Sequence, residues 1–184
     1  ALSRISKNSR QDQGVAVDIV APQHTTLDDH LLDQNRDHGT FFLLEGITNP
    51  QNLGMIIRSV AASTMTGIIL PSHGCAKLDP LVYKASAGCL LKTKILTCKT
   101  TASAQTALRQ ANFHLVGLDG SATETMTDLP DRVKTVFLLG NESTGLSEGT
   151  LNACDQRIHI PMRNDVESLN VAVAAGIIAF SGIN

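Results

Sequence analysis

One arginine, Arg58, lies in an otherwise apolar stretch, Asn52-Leu53-Gly54-Met55-Ile56-Ile57-Arg58-Ser59-Val60-Ala61. A guanidinium in such surroundings needs an acceptor. Two uses are open: pairing with a carboxylate such as Glu142, or clamping a phosphate or a developing alkoxide. Three polar loops could supply the rest of a site. The first is Glu45-Gly46-Ile47-Thr48-Asn49-Pro50-Gln51-Asn52-Leu53-Gly54, the second Gly140-Asn141-Glu142-Ser143-Thr144-Gly145-Leu146-Ser147, and the third runs from Ile160-Pro161-Met162 to Ser168-Leu169-Asn170. Each follows an apolar run and enters a helical pattern, so free backbone N–H groups and Asn, Ser or Thr side chains can bind a polar ligand there.

Several chemistries are excluded. The glycines spell neither G-x-x-x-x-G-K-[ST] nor G-x-G-x-x-G, which removes P-loop and dinucleotide-binding readings. There is no G-x-S-x-G elbow for a serine hydrolase, and none of the six histidines stands in a catalytic setting. Cys75, Cys89, Cys98 and Cys154 form no C-x-x-C pair and have no histidine in ligand register, so no metal site is expected. Buried or surface thiols in a reducing compartment are the simpler reading.

The elements that must position these loops alternate. Residues 1–40 read as a polar linker or extension with one short helical segment, Leu27 to Leu32, and the compact domain as 41–184. Within it, apolar runs at Phe41–Glu45, Gly67–Leu70, Thr93–Cys98, Phe113–Leu118, Thr135–Gly140 and Arg157–Ile160 are separated by helical patterns near Gln51–Met65, Leu81–Ala87, Ala102–Ala111, Glu148–Cys154 and Leu169–Phe180. Such order predicts an α/β fold, a mostly parallel sheet with helices on both faces. In open sheets of this kind ligands bind at the carboxyl ends of the strands, where the three loops lie.

The 184 residues are 42% hydrophobic and 17% charged, enough for one sizeable core, and 15 Lys plus Arg against 17 Asp plus Glu leave a formal charge of −2. No run approaches the ~18 apolar residues that cross a bilayer, and Ala1–Arg10 is basic and polar, unlike a signal peptide. The expected location is the cytoplasm. Lys77, Lys84, Lys92, Lys94 and Lys99, opposed only by Asp79, form either a solvated face or a phosphate-binding one.

Taken together, the loops resemble the SpoU/TrmH family of RNA ribose 2′-O-methyltransferases within the SPOUT superfamily. Asn52-Leu53-Gly54-x-x-x-Arg58 is similar to the first family motif and Leu139-Gly140-Asn141-Glu142-x-x-Gly145-Leu146-Ser147 to the second. Ile160-Pro161-Met162 with Ser168-Leu169-Asn170-Val171-x-Val173-Ala174 is similar to the third. The resemblance runs from about Phe41 to Phe180, and Gly14-Val15-Ala16-Val17 resembles the entry to this domain in members acting on ribosomal RNA. It implies a C-terminal deep trefoil knot, an exception to the usual unknotted connections, a homodimer with its active site at the subunit interface, and S-adenosylmethionine as cofactor. Leu139, Gly140, Asn141, Gly145, Ile160, Met162, Ser168 and Leu169 would surround that cofactor. Arg58 would stand at the ribose hydroxyl with Asn52, Glu142, Ser168 and Asn170 around it.

Plainer roles stay open for these residues: Ser168 as cap of the last helix, Asn52 as cap of the helix carrying Arg58, and Glu142 as a brace for Arg58 or Asn52. An arginine, with a pKa above ~12, is a poor base. Either burial and an RNA phosphate help it accept the proton, or it stays charged and stabilises the forming alkoxide, the reading favoured on physical grounds. The implied substrate is structured RNA, ribosomal ahead of transfer RNA. A non-catalytic RNA- or cofactor-binding module and a base methyltransferase are the alternatives. Lys77, Lys84, Lys92, Lys94 and Arg163 are the candidate RNA contacts. With 3% aromatic residues and no Trp, RNA capture has to rest on shape and charge. Many relatives carry a separate N-terminal RNA-binding domain, and Ala1–Gly14 reads as the stub of a linker to one. The third loop departs from the pattern: Arg163 and Asn164 stand where many members have a glycine soon after the methionine.

Overall fold

A computed structural model describes residues 20, 23–33, 39–129 and 134–181. The basic start at Arg4, Lys7 and Arg10, and the segment Gly14–Val17, lie outside the described residues.

Among the described residues seven strands form one sheet: β1 (Thr25–Thr26), β2 (Phe41–Leu44), β3 (Gly67–Pro71), β4 (Ile95–Cys98), β5 (His114–Leu118), β6 (Thr135–Leu139) and β7 (Gln156–Ile158). Their order is β1-β4-β3-β2-β6-β5-β7, and every pairing is parallel. The central strands read Phe-Phe-Leu-Leu, Gly-Ile-Ile-Leu-Pro and Thr-Val-Phe-Leu-Leu and are buried throughout, because both faces of the sheet are covered. The helices are α1 (Leu27–Leu32), α2 (Pro50–Ala61), α3 (Pro80–Ala85), α4 (Thr101–Gln110), α5 (Glu148–Asn152) and α6 (Val171–Phe180).

Strand alternation sorts the core into two layers. Phe42, Leu44, Ile68 and Phe137 pack with Leu53, Ile56 and Ile57 of α2 and Ala175 and Ile178 of α6. Phe41, Leu43, Ile69, Val136 and Leu138 face the other way, with Leu27 of α1 and Ala104 and Leu108 of α4. Gly54 allows α3 to approach α2: a Cβ there would lie 2.4 Å from the Ala85 Cβ. The glycine of Asn52-Leu53-Gly54 therefore serves packing.

The folded unit takes in part of the segment read as linker. Thr25–Thr26 pair with Leu96–Thr97 at the sheet edge, and Leu27 and His30 are buried beneath α1. A two-residue strand of threonines carries no apolar run, so hydrophobic patterning alone does not reveal it.

Candidate functional site

The carboxyl ends of β2, β6 and β7 deliver the three loops to one side of the sheet. Glu45 N–H donates to the Leu139 carbonyl at 2.9 Å, extending the β2–β6 pairing past the strand ends. The Asn141 amide then donates to the Gly46 carbonyl at 2.9 Å, fastening the second loop to the first. Asn141 and Gly145 exchange backbone hydrogen bonds at 3.1 and 2.8 Å, closing the second loop into a tight turn. Gly140 is obligatory there, since a Cβ would come within 2.2 Å of the Gly145 carbonyl carbon.

Three side chains, one from each loop, meet at Glu142. The amide groups of Asn52 and Asn170 both donate to Glu142 Oε1, and Asn170 Nδ2 also lies 3.1 Å from Asn52 Oδ1. A carboxylate only accepts, so each asparagine must turn its NH2 toward it. Asn170 is held at its other end too: its Oδ1 accepts from Ala172 N at 2.9 Å and caps α6. The caps expected of Ser168 and Asn52 thus belong to other residues, Asn170 for α6 and Asn49 for α2, the latter accepting from Gln51 N at 2.8 Å.

A cavity of about 530 Å³ opens beside this junction. Gly140, Asn141, Glu142 and Gly145 line it from the second loop, and Ile160, Met162, Ser168 and Leu169 from the third. Leu139 does not: its side chain is fully buried and its carbonyl is taken by Glu45. Leu118, Asp119 and Gly120 at the end of β5, and His159 after β7, also line the cavity and were not singled out from sequence. The apolar run before Leu118 placed that turn at a carboxyl strand end, the signal that picked out the other loops. His159 Nδ1 lies 2.9 Å from the Glu124 carbonyl, which only accepts, so Nδ1 is the donor of that hydrogen bond.

Arg58 is exposed on α2, and its guanidinium makes no hydrogen bond or ion pair with any described residue. The pairing with Glu142 that sequence left open does not form, because Glu142 is engaged by Asn52 and Asn170. The apolar residues flanking Arg58 face the sheet, whereas Arg58 shares the outer side of α2 with Met55.

The SpoU rRNA Methylase family model matches residues 39–180, which hold all three loops. The chain belongs to this family. The 23S rRNA (guanosine-2′-O-)-methyltransferase RlmB of Xylella fastidiosa is 33% identical over 175 residues, 93% of this chain and 70% of that protein. An uncharacterized tRNA/rRNA methyltransferase of Mycolicibacterium gilvum is 32% identical over 179 residues, 96% of this chain and 57% of that protein. The chain therefore spans little more than half the length of that relative. Among solved structures, the SpoU methyltransferase AviRb of Streptomyces viridochromogenes, in complex with the cofactor AdoMet, matches at a TM-score of 0.76 and 29% identity, over 88% of this chain and 64% of that one.

The third loop of this SpoU chain bends without a glycine between Met162 and Ser168. Asn164 and Asp165 take left-handed backbone, φ +58° and +56°, and Val166 N–H donates to the Arg163 carbonyl at 3.3 Å. Asn and Asp tolerate that region better than other L residues do, which lets the turn form here.

The candidate RNA contacts separate in space. Lys77 follows Ala76, whose N–H donates to the Ile47 carbonyl of the first loop at 2.7 Å, and Arg163 lies on the third loop. Lys84 is on α3, beside α2. Lys92 and Lys94 precede β4 and sit at the amino ends of the strands, across the sheet from the loops.

Among the described residues no cluster of His, Cys, Asp or Glu could hold a metal ion. No helix of the described residues is long and apolar enough to cross a membrane. The four cysteines are free. Burial pushes the Cys98 thiol up to about 12 and that of Cys154 to about 11, from an ordinary 9.0. Both thiols are therefore protonated near neutral pH and poor nucleophiles. Between pH 9 and about 12 the folded chain holds protons that the unfolded chain has released, so the contribution of these groups to stability is complete below pH 9 and declines as pH rises through that range. Urea midpoints measured across that range should fall, and a Cys98→Ser/Cys154→Ser chain should show a shallower fall.

Proposed function

We propose that this chain is the catalytic domain of an S-adenosylmethionine-dependent RNA 2′-O-methyltransferase, acting on a ribose of structured RNA, ribosomal ahead of transfer RNA. The observation that carries the reading is the junction of Asn52, Glu142 and Asn170, which ties three loops far apart in sequence into one wall beside the cavity. The AdoMet complex of AviRb and the ribose activity named for RlmB support it. The apolar and backbone-rich lining from Leu118, Gly140, Ile160 and Leu169 suits an adenosine group.

When bound, the cofactor supplies a methyl group on a sulfonium, already a strong electrophile. The chain's own work is positioning and charge. Asn52 and Asn170 are locked by Glu142, so their amides keep a fixed orientation beside the ribose hydroxyl. As the 2′ oxygen takes the methyl from the sulfonium, whose sulfur keeps the bonding electron pair, the hydroxyl proton passes to solvent water. Arg58 remains charged and stabilises the oxygen while the negative charge develops.

Arg58 projects outward and completes the site from a second copy of the chain. The support is a stripe of exposed apolar side chains on α6, Val173, Ile177 and Phe180, spaced by four and three residues so that they share one helix face, with Met55 exposed on neighbouring α2. Burying such a stripe against its own copy brings α2, and with it Arg58, to a subunit boundary. We also propose that the C-terminal segment forms a trefoil knot: it leaves the edge strand β7, meets the second loop where Asn170 donates to Glu142, and enters α6, which packs against α2.

The deciding experiment incubates the chain with methyl-labelled S-adenosylmethionine and total RNA, then locates the label by nucleotide mapping. Label on a ribose 2′ oxygen is the expected result; label on a base, or none despite cofactor binding, overturns it. RNA should cross the carboxyl-end rim. Accordingly Lys77→Ala/Arg163→Ala should weaken RNA binding and reduce its salt dependence by about two phosphate contacts. Lys92→Ala/Lys94→Ala should change both less. Filter binding across a salt series reads the difference.

A further inference from the structure

Two carboxylates on the cavity wall are left unused by the reading above, Asp119 and Glu167, and of these Asp119 is the one largely buried. It follows β5, and its backbone N–H donates to the Ile158 carbonyl at 2.9 Å, which anchors it between β5 and β7. Oδ1 accepts from Ser121 N at 2.9 Å and from Ser121 Oγ at 2.8 Å, so the carboxyl plane is set by its own turn. Oδ2 has only Arg157 Nη1 near it, at 3.9 Å, beyond hydrogen-bond reach. Arg157 is itself held elsewhere, by the Leu151 carbonyl at 3.3 Å and Asn152 Oδ1 at 2.8 Å. Asp119 lines the cavity with its side chain 14% exposed, and the next residue, Gly120, has open space beside it. Asp119 is therefore a fixed, largely buried anion with acceptor capacity to spare.

Of the other lining carboxylates, Glu142 gives Oε1 to both Asn52 and Asn170, and Glu167 is exposed. If the methyl is delivered beside those asparagines, the methionine end of the cofactor lies toward them and the adenosine half toward β5 and β7. Adenosine offers one pair of adjacent hydroxyl donors, the ribose 2′ and 3′ groups. A carboxylate at the end of a parallel strand is a general solution for binding such a diol. We propose that Asp119 accepts hydrogen bonds from the cofactor's own ribose hydroxyls and so fixes the adenosine half of S-adenosylmethionine. This rests on the cavity being the cofactor site.

The test is calorimetric titration of the wild-type chain, Asp119→Ala and Asp119→Asn with S-adenosylmethionine and with its 2′-deoxyadenosyl analogue. Asp119→Ala should weaken the natural cofactor about tenfold to a hundredfold, as expected for lost hydrogen bonds to a charged group. The wild type should discriminate against the deoxy analogue, and Asp119→Ala should not. Asp119→Asn keeps an oxygen for the Ser121 turn and lacks the charge; it should lose less affinity, and it decides the matter if the alanine variant does not fold. Unchanged affinity in the variants, or discrimination as strong as in the wild type, overturns the proposal. Hydrogen exchange on the wild type separates the two readings. Absence of protection at 139–146 and 160–169 when cofactor binds removes the cavity reading and this proposal with it. Protection there alongside intact affinity in the variants removes this proposal alone.

Discussion

Arg58→Ala lowers methyl transfer by about a hundredfold to a thousandfold, the usual cost of deleting one charged group aimed at a developing oxyanion, while cofactor affinity is unchanged. The two effects separate because Arg58 touches neither the cavity nor the Asn52, Glu142 and Asn170 junction of the same chain. It is exposed, and its guanidinium has no partner among the described residues, so its removal leaves no buried group unsatisfied and the fold intact. Arg58→Lys should keep part of the rate, because a single ammonium supplies charge without the planar fork. Single-turnover rates beside calorimetric titration of the cofactor read both quantities. Loss of cofactor affinity together with turnover would make the arginine a structural residue and withdraw its proposed role.

Ile177→Asp should split the proposed dimer and reduce methyl transfer to the level of Arg58→Ala without unfolding the chain. Val173, Ile177 and Phe180 are 51%, 41% and 60% exposed, so the substitution leaves the packed side of α6, with Ala175 and Ile178, untouched. Burying each apolar side chain of this kind is worth roughly 1.5–3 kcal/mol. An aspartate in the middle of the stripe replaces that gain with the cost of desolvating a charge. Sedimentation equilibrium should show a monomer with an unchanged melting profile. Arg58→Ala mixed with Ala174→Trp, whose bulk fills the cavity, should recover part of the activity, because one face of the mixed dimer pairs an intact cavity with an intact Arg58. A monomeric Ile177→Asp that still transfers methyl groups at the full rate would rule out a site shared between copies.

The alternation of strands and helices was legible because a parallel sheet buries both faces of its strands, which leaves runs such as Phe41–Leu44 and Thr135–Leu139 without a polar residue facing out. Arg58 was harder to place. Surrounded by Ile56, Ile57 and Val60 it reads as a buried charge, yet those three face the sheet while Arg58 points away with Met55. Helical periodicity contains that distinction, and linear neighbourhood hides it. Linear neighbourhood also groups lysines that the fold sets apart. Lys77 and Lys94 stand 17 residues apart, but β4 begins where Lys94 lies and Lys77 follows the end of β3, so the two belong to opposite rims of the sheet.

By itself the sequence determined the fold class, the positions of three loops at strand ends and the family to which they belong, since these follow from local hydrophobic period and short motifs. Tertiary structure alone decided which side chains meet. Asn52 and Glu142 are 90 residues apart, and Asn170 is 118 from Asn52, so their shared hydrogen bonds depend on strand order. The same is true of Asp119, which enters the cavity because β5 lies between β6 and β7. Contacts across a parallel sheet are set by the order in which strands dock, and that order is a property of the packed core as a whole.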